Sequence, residues 1–125
     1  DSIVRGISSA SIIKMLREYG AKKISMIVTY PPVRYPCYAG IDFPSQEELL
    51  AYQQVQEETV RTTDIAHKVA HSLGADFVAY NNTSTLAKAI NIAEKELCFT
   101  CTTGDYSPLG VKPLFKSRAV LKGRS

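Results

Sequence analysis

Long apolar runs are missing from this 125-residue chain. None approaches the roughly 20 residues a membrane-spanning helix needs, so no membrane role is expected. Cysteine is scarce and odd in number: Cys37, Cys98 and Cys101. An odd count argues against a secreted disulfide framework. No signal-peptide pattern opens the chain, and its first residue is Asp1 rather than Met. The expectation is a processed, truncated or excised chain from a cytoplasmic protein. Clustered charge is also lacking. Fifteen Lys and Arg against twelve Asp and Glu leave a formal charge of +3, scattered until the tail. The seven tyrosines do not interleave with basic residues as in a single-strand reader, so nucleic acid is not an expected partner. There is no internal repeat or low-complexity tract.

What is present suffices for one domain. Hydrophobic residues make up 45% of the chain, an ordinary core fraction. Ser8 and Ser9 are placed to cap a helix with apolar positions Ile12, Ile13, Met15 and Leu16, and Gly20 to stop it. Ile24 to Val28 is a short apolar run suited to a buried strand, ended by Pro31-Pro32. Residues 33–44, with Pro36, Gly40 and Pro44, form an irregular ordered loop. Ser45 and Glu48 make a capping box for a helix through Leu49, Leu50 and Tyr52. A further helix runs from about Thr62 to Leu73, with Ile65, Val69 and Leu73 on one face and Gly74 as its stop. Residues 75–80 read as a strand. Thr83 or Ser84 caps a last helix with Leu86, Ala89, Ile90 and Ala93 inward, and the chain is turn-rich from Cys98. The tail carries Lys112, Lys116, Arg118, Lys122 and Arg124 without an acid, and reads as solvated and mobile. This is the rhythm of an α/β sheet. Two parallel strands alone are hard to stabilise, so the expected architecture is the carboxyl-terminal part of a larger α/β domain.

Four features carry possible chemistry. The opening stretch DSIVRGISSAS turns into a helix through Arg5, Gly6, Ile7, Ser8 and Ser9. Amides at a helix start, two hydroxyls and a guanidinium suit an anion, and Asp1 suits sugar hydroxyls or Mg²⁺. A plain capped helix after a turn is the commoner reading of such spacing. Cys98-Phe99-Thr100-Cys101 suits one metal or cluster, with Cys37 as a third thiolate, or a redox dithiol, or a buried Cys98 with an incidental partner. Because the pair follows a helix and leads into more turn, the thioredoxin arrangement is the weaker of these. His67 and His71 stand four apart, but Lys68 follows His67 where a zinc protease has Glu, so solvated surface histidines are expected. Asp42 in its proline-rich turn reads as a structural carboxylate.

Several stretches together resemble amidophosphoribosyltransferases, the glutamine phosphoribosylpyrophosphate amidotransferases. They are DSIVRGISS (1–9), GAKKI (20–24), PPVRYPCYAGIDFPSQEELLA (31–51), GADFVAY (74–80) and ELCFTCTTGDYSP (96–108), in the family's order. The resemblance implies a type I phosphoribosyltransferase sheet, truncated on its amino-terminal side. Residues 1–95 would belong to that domain, and 96–125 would be a cysteine-bearing segment with a basic tail. It implies that Asp1 is the second acid of the phosphoribosylpyrophosphate motif, touching ribose hydroxyls or Mg²⁺, and that Arg5, Gly6, Ile7, Ser8 and Ser9 form the 5′-phosphate loop. Family members usually carry Thr where Ile7 stands, so one hydroxyl is lost. It implies that Cys37, Cys98 and Cys101 are three ligands of a 4Fe–4S cluster, the fourth lying upstream with the glutaminase domain. The implied parent is a homo-oligomer forming phosphoribosylamine from phosphoribosylpyrophosphate and glutamine. A non-catalytic iron–sulfur or metal-binding α/β module, and a truncated domain binding a nucleotide-type sugar phosphate, are the rivals.

Overall fold

The computed structural model describes residues 2–41, 45–57 and 59–112. In chain order these form helix α1 (Ile7–Glu18), strand β1 (Ser25–Val28), a 3₁₀ turn (Gln46–Glu48), α2 (Leu50–Gln54), α3 (Thr62–Leu73), β2 (Phe77–Tyr80), α4 (Thr83–Ala89), a 3₁₀ turn (Glu94–Glu96), α5 (Thr100–Thr103) and a last 3₁₀ turn (Ser107–Leu109). Asp1, Asp42 and the tail from residue 113 lie outside the described residues.

β1 and β2 pair in parallel, with Ser25 opposite Phe77 and Val28 opposite Tyr80. The α/β class and the fragment-like two-stranded sheet therefore agree with expectation. α3 supplies the main cover. Its residues Ile65, Ala66, Val69, Ala70 and Leu73 are buried, a stripe wide enough to lie on β2. With Val28 and Val78 from the strands and Ile13 from α1 they form the principal core. The alternation of a strand puts Ile27 and Phe77 on the opposite sheet face, where they are 73% and 53% exposed.

Arg17 at the end of α1 fastens the strand entries. Its guanidinium donates to the carbonyls of Ala21 (3.2 Å), Lys22 (2.8 Å) and Gly74 (3.3 Å) and to Asp76 Oδ2 (2.7 Å). The same Asp76 oxygen accepts the Ile24 N–H at 2.7 Å, so one carboxylate holds both strands at their starts. The Ile24 amide first, and Arg17 second, keep the Asp76 carboxyl below the ordinary aspartate range.

Three helix starts differ from expectation. Ser8 and Ser9 do not cap α1; they lie within its first turn, and Gly6 is the cap residue with φ 79° and no side-chain bond. The chain reaches the helix by a left-handed turn that only glycine adopts freely. Ser45 makes no cap bond, and the expected single helix is broken at Leu49. The break lets neighbouring leucines enter two different clusters: Leu49 packs with Val33 and Cys101, Leu50 with the main core. A continuous helix would turn one of them about 100° away from the other. Glu48 meanwhile pairs with Arg5. Asn82, not Thr83 or Ser84, caps α4, its Oδ1 accepting the Thr85 N–H at 2.8 Å. Ala87 is the buried residue of α4; Ala89, Ile90 and Ala93 are exposed, and so are Ile12, Met15 and Leu16 on α1. The expected inward faces of both helices are thus only partly used within this chain.

Candidate functional site

Two regions hold the candidate residues. The first is the opening of α1. Residues 4–6 bend, and the Val4 carbonyl accepts the Leu50 N–H at 2.8 Å, which docks the bend on α2. Gly6 is packed as well as left-handed: a Cβ there would lie 2.6 Å from Leu50 Cδ2 and 3.2 Å from Leu73 Cδ2. The first helical bond runs from the Ala10 N–H to the Gly6 carbonyl at 2.8 Å. The amides of Ile7, Ser8 and Ser9 therefore lie ahead of it, at the positive end of a 12-residue helix with no acid in its first turn. Ser8 is exposed and Ser9 half-buried. Arg5 reaches Glu48 through Nε to Oε2 at 3.1 Å, both side chains about half exposed. Five of the six residues expected at this site thus share one short bend and helix start; Asp1 is outside the described residues.

The second region joins the loop after β1 to the segment after residue 97. Arg34 and Tyr35 both donate their backbone N–H to the Cys101 carbonyl at 2.9 Å. The Tyr30 hydroxyl donates to the Cys98 carbonyl at 3.2 Å and lies 3.7 Å from Cys101 Sγ. Tyr106 donates its hydroxyl to the Pro36 carbonyl and packs its ring 5.1 Å from that of Tyr38. Gly104 is pressed against the Tyr35 ring, which a Cβ would meet at 2.9 Å. The proline-bearing loop and the cysteine segment are therefore fastened together by backbone bonds and aromatic rings.

The cysteines differ within this clasp. Cys98 is exposed, and the hydroxyl and amide of Thr100 stabilise its thiolate, lowering its pKa. Cys101 is buried beside Val33 and Leu49; burial raises its thiol, the Tyr30 hydroxyl works against that rise, and Cys37 and Cys98 add to it. Burial foremost, with the Cys101 bond behind it, also raises Tyr30 well above the usual phenol range. Cys37 is half-buried, and its sulfur accepts the Ala39 N–H at 3.4 Å. The Cys-x-x-Cys stretch begins a short helix: Phe99 is the cap residue of α5, and Cys101 lies inside it. The expected placement in turn alone is corrected accordingly. Among the described residues no three His, Cys, Asp or Glu side chains are grouped so as to hold a metal ion. The clasp brings the three cysteines into one region without grouping them as a ligand set.

His67 and His71 are exposed, as expected of surface histidines. His67 borders a feature that sequence did not signal, a cavity of about 410 Å³ between α3 and β2, bordered also by Thr62, Asp76, Phe77, Tyr80 and Asn82. The Tyr80 hydroxyl is buried without a hydrogen-bond partner among the described residues, and burial pushes its pKa up to about 12. Tyr30 and Tyr106 were likewise not foreseen; a tyrosine's partner across about seventy residues leaves no local pattern. No helix of the described residues is long and apolar enough to cross a membrane.

No protein-family model matches the chain. Curated relatives do. The chain is 39% identical over 113 residues to amidophosphoribosyltransferase 1, chloroplastic, of Arabidopsis thaliana, covering 90% of this chain and 18% of that protein. It is 37% identical over 106 residues to the amidophosphoribosyltransferase of Mycobacterium bovis, covering 85% and 19%. It is 41% identical over 106 residues to that of Pyrococcus horikoshii, covering 85% and 21%. Homologues from plants, bacteria and archaea thus carry one name, and the chain spans about a fifth of their length.

Proposed function

We propose that this chain is the carboxyl-terminal part of an amidophosphoribosyltransferase, with residues 1–95 in its phosphoribosyltransferase domain and 96–125 as an appended cysteine-bearing segment. Arg5 to Ser9 hold the 5′-phosphate of phosphoribosylpyrophosphate. The observation that carries this reading is the opening of α1: three amides ahead of the first helical bond, two serine hydroxyls and one guanidinium. Such a helix start binds a phosphate through its N–H groups and its dipole. Arg5 is free to join because an ion pair as exposed as Arg5–Glu48 contributes only about 0–1 kcal/mol. Ile7 contributes its amide alone.

In the parent, ammonia released from glutamine displaces pyrophosphate at C1 of the sugar, giving phosphoribosylamine for purine synthesis. Fixing the 5′-phosphate holds the sugar in line for that displacement, an effect of positioning rather than covalent catalysis. Asp1 would contact the ribose hydroxyls or Mg²⁺; when bound, Mg²⁺ supplies charge for the leaving pyrophosphate. The parent is a cytoplasmic homo-oligomer in this reading. The 125 residues by themselves form no phosphoribosylamine, because the glutaminase and the pyrophosphate-side groups are not among them.

The test is amide NMR of the ¹⁵N-labelled chain titrated with ribose 5-phosphate. Shifts centred on Ile7, Ser8 and Ser9, weakened by Ser8→Ala with Ser9→Ala, support the reading. Shifts centred on the α3–β2 cavity instead overturn it.

A second reading places a 4Fe–4S cluster on Cys37, Cys98 and Cys101, as part of this enzyme or of a non-catalytic module. The fastening of the Cys37 loop to the Cys98–Cys101 segment favours it. The lack of a grouped ligand set among the described residues weighs against it. Anaerobic reconstitution with iron and sulfide decides: about four irons per chain, lost in Cys37→Ser, supports a cluster.

A further inference from the structure

Three consecutive residues at the opening of α1 are tied to one short stretch, residues 48–50. The Val4 carbonyl accepts the Leu50 N–H at 2.8 Å, Arg5 Nε donates to Glu48 Oε2 at 3.1 Å, and Gly6 lies against Leu50, whose Cδ2 a Cβ would meet at 2.6 Å. Glu48 is presented from a fixed frame. It closes the 3₁₀ turn Gln46–Glu48, and both Gln46 and Leu49 are buried. Its own N–H reaches the Ser45 carbonyl at 3.0 Å, the Leu49 N–H reaches the Gln46 carbonyl at 3.2 Å, and Gln46 Nε2 donates to the Arg34 carbonyl at 3.2 Å. The guanidinium that Glu48 holds differs from its counterparts. Arg17, Arg34 and Arg61 each use at least one Nη group on a carbonyl or a carboxylate. Arg5 uses Nε alone, and among the described residues neither of its Nη groups has a partner.

We propose that Glu48 is a positioning residue for the 5′-phosphate: it grips Arg5 by Nε and leaves the Nη1–Nη2 edge of the guanidinium to the phosphate oxygens. The proposal rests on the reading of residues 5–9 as the phosphate loop. A guanidinium is a rigid planar fork, so a bond at Nε fixes where its other edge lies. The two parallel N–H groups on that edge match two oxygens of a phosphate. A long side chain with no such bond must be ordered by the ligand itself, which lowers affinity. Glu48 does part of that ordering beforehand, and Arg5 reaches the phosphate without leaving it. The carboxylate charge opposes a phosphate, but both side chains are about half exposed, where water and salt weaken the repulsion. The acceptor oxygen, not the charge, is therefore what Glu48 contributes.

The experiment titrates the ¹⁵N-labelled full chain with ribose 5-phosphate and follows the amides of Ile7, Ser8 and Ser9 together with the Nε–H signal of Arg5. In the unmodified chain that Nε–H signal is expected to persist in the complex, still bonded to Glu48. Glu48→Ala is expected to weaken binding about 2- to 5-fold. Glu48→Gln keeps an acceptor for Nε without the charge, and is expected to bind at least as tightly as the unmodified chain. Glu47→Ala removes the same charge from the exposed neighbour and is expected to cause no loss. With Arg5→Ala already in place, Glu48→Ala is expected to add no further loss, which a merely structural Glu48 would still produce. Unchanged or tighter binding in Glu48→Ala, or a loss that persists in the Arg5→Ala background, overturns the proposal and leaves the phosphate loop standing. An unmodified chain whose Ile7, Ser8 and Ser9 amides do not respond overturns both.

Discussion

Replacing Gly6 by Ala puts a methyl group where the fold leaves no room. Two costs arise. A residue with a Cβ at φ 79° pays about 1–2 kcal/mol for the left-handed conformation. The new Cβ also lies 2.6 Å from Leu50 Cδ2, and Leu50 cannot simply swing aside, because it is buried and Leu73 Cδ2 closes the other side at 3.2 Å. Overpacking of this kind costs about 1–3 kcal/mol. Gly6→Ala is therefore expected to lose about 2–5 kcal/mol. Gly20 provides the control. It has φ 92° but nothing within 4 Å of its Cβ position, so Gly20→Ala pays only the backbone part, about 1–2 kcal/mol. Urea unfolding followed by circular dichroism reads both differences, provided the m-value is unchanged. Leu50→Ala in the Gly6→Ala background removes the clash, so the double variant should lose about 1–3 kcal/mol less than the sum of the singles. The reasoning is refuted if Gly6→Ala and Gly20→Ala agree within about 0.5 kcal/mol and the double variant is additive.

Other substitutions test neighbouring parts of the account. The Asp76 carboxyl is depressed in the fold, so its contribution is fully present above the ordinary aspartate value of 3.8 and is lost as pH falls from there through the depressed folded value. Asp76→Asn should lower stability at neutral pH and flatten that acid limb; an unchanged acid limb in urea titrations would count against the clamp. Tyr80→Phe removes a buried hydroxyl with no partner among the described residues, so Tm should hold or rise, by up to about 1–3 kcal/mol in stability. A loss above about 1 kcal/mol would show that the hydroxyl is bonded. Asn82→Ala should cost about 1 kcal/mol as a lost cap, whereas Thr83→Ala should cost little; the reverse order in urea melts would restore the threonine as the cap.

How much could be read from the sequence depended on the range of the forces involved. α3 was legible from end to end, because its stripe from Ile65 to Leu73 and its Gly74 stop are local signals. Both strands were legible to within two residues, their first residues being drawn off to serve Asp76 and its neighbours. The break at Leu49 was not legible, since a leucine pair says nothing about two separate clusters. Nor was the capping of α1, because Ser8 and Ser9 suit a cap in isolation and only the docking of Gly6 on Leu50 moves the helix start forward. The faces of α1 and α4 were read as inward by periodicity, which reports an apolar face but not whether this chain covers it. The phosphate-loop residues were legible as a cluster because they are consecutive. The clasp of Tyr30, Tyr35 and Tyr106 about the cysteines depends on contacts between distant segments and left no pattern to find.

The central claim, that this chain supplies phosphoribosyl chemistry to a longer amidotransferase, meets its most direct test in turnover by a chimera. The matching 106-residue stretch of the Pyrococcus horikoshii relative, 41% identical, is replaced by the corresponding residues of this chain. Release of pyrophosphate from phosphoribosylpyrophosphate is then measured with ammonia as the nucleophile. The account predicts turnover that depends on the grafted stretch and falls when Ser8 and Ser9 are both changed to Ala. A chimera that folds and assembles like its parent yet releases no pyrophosphate would contradict it.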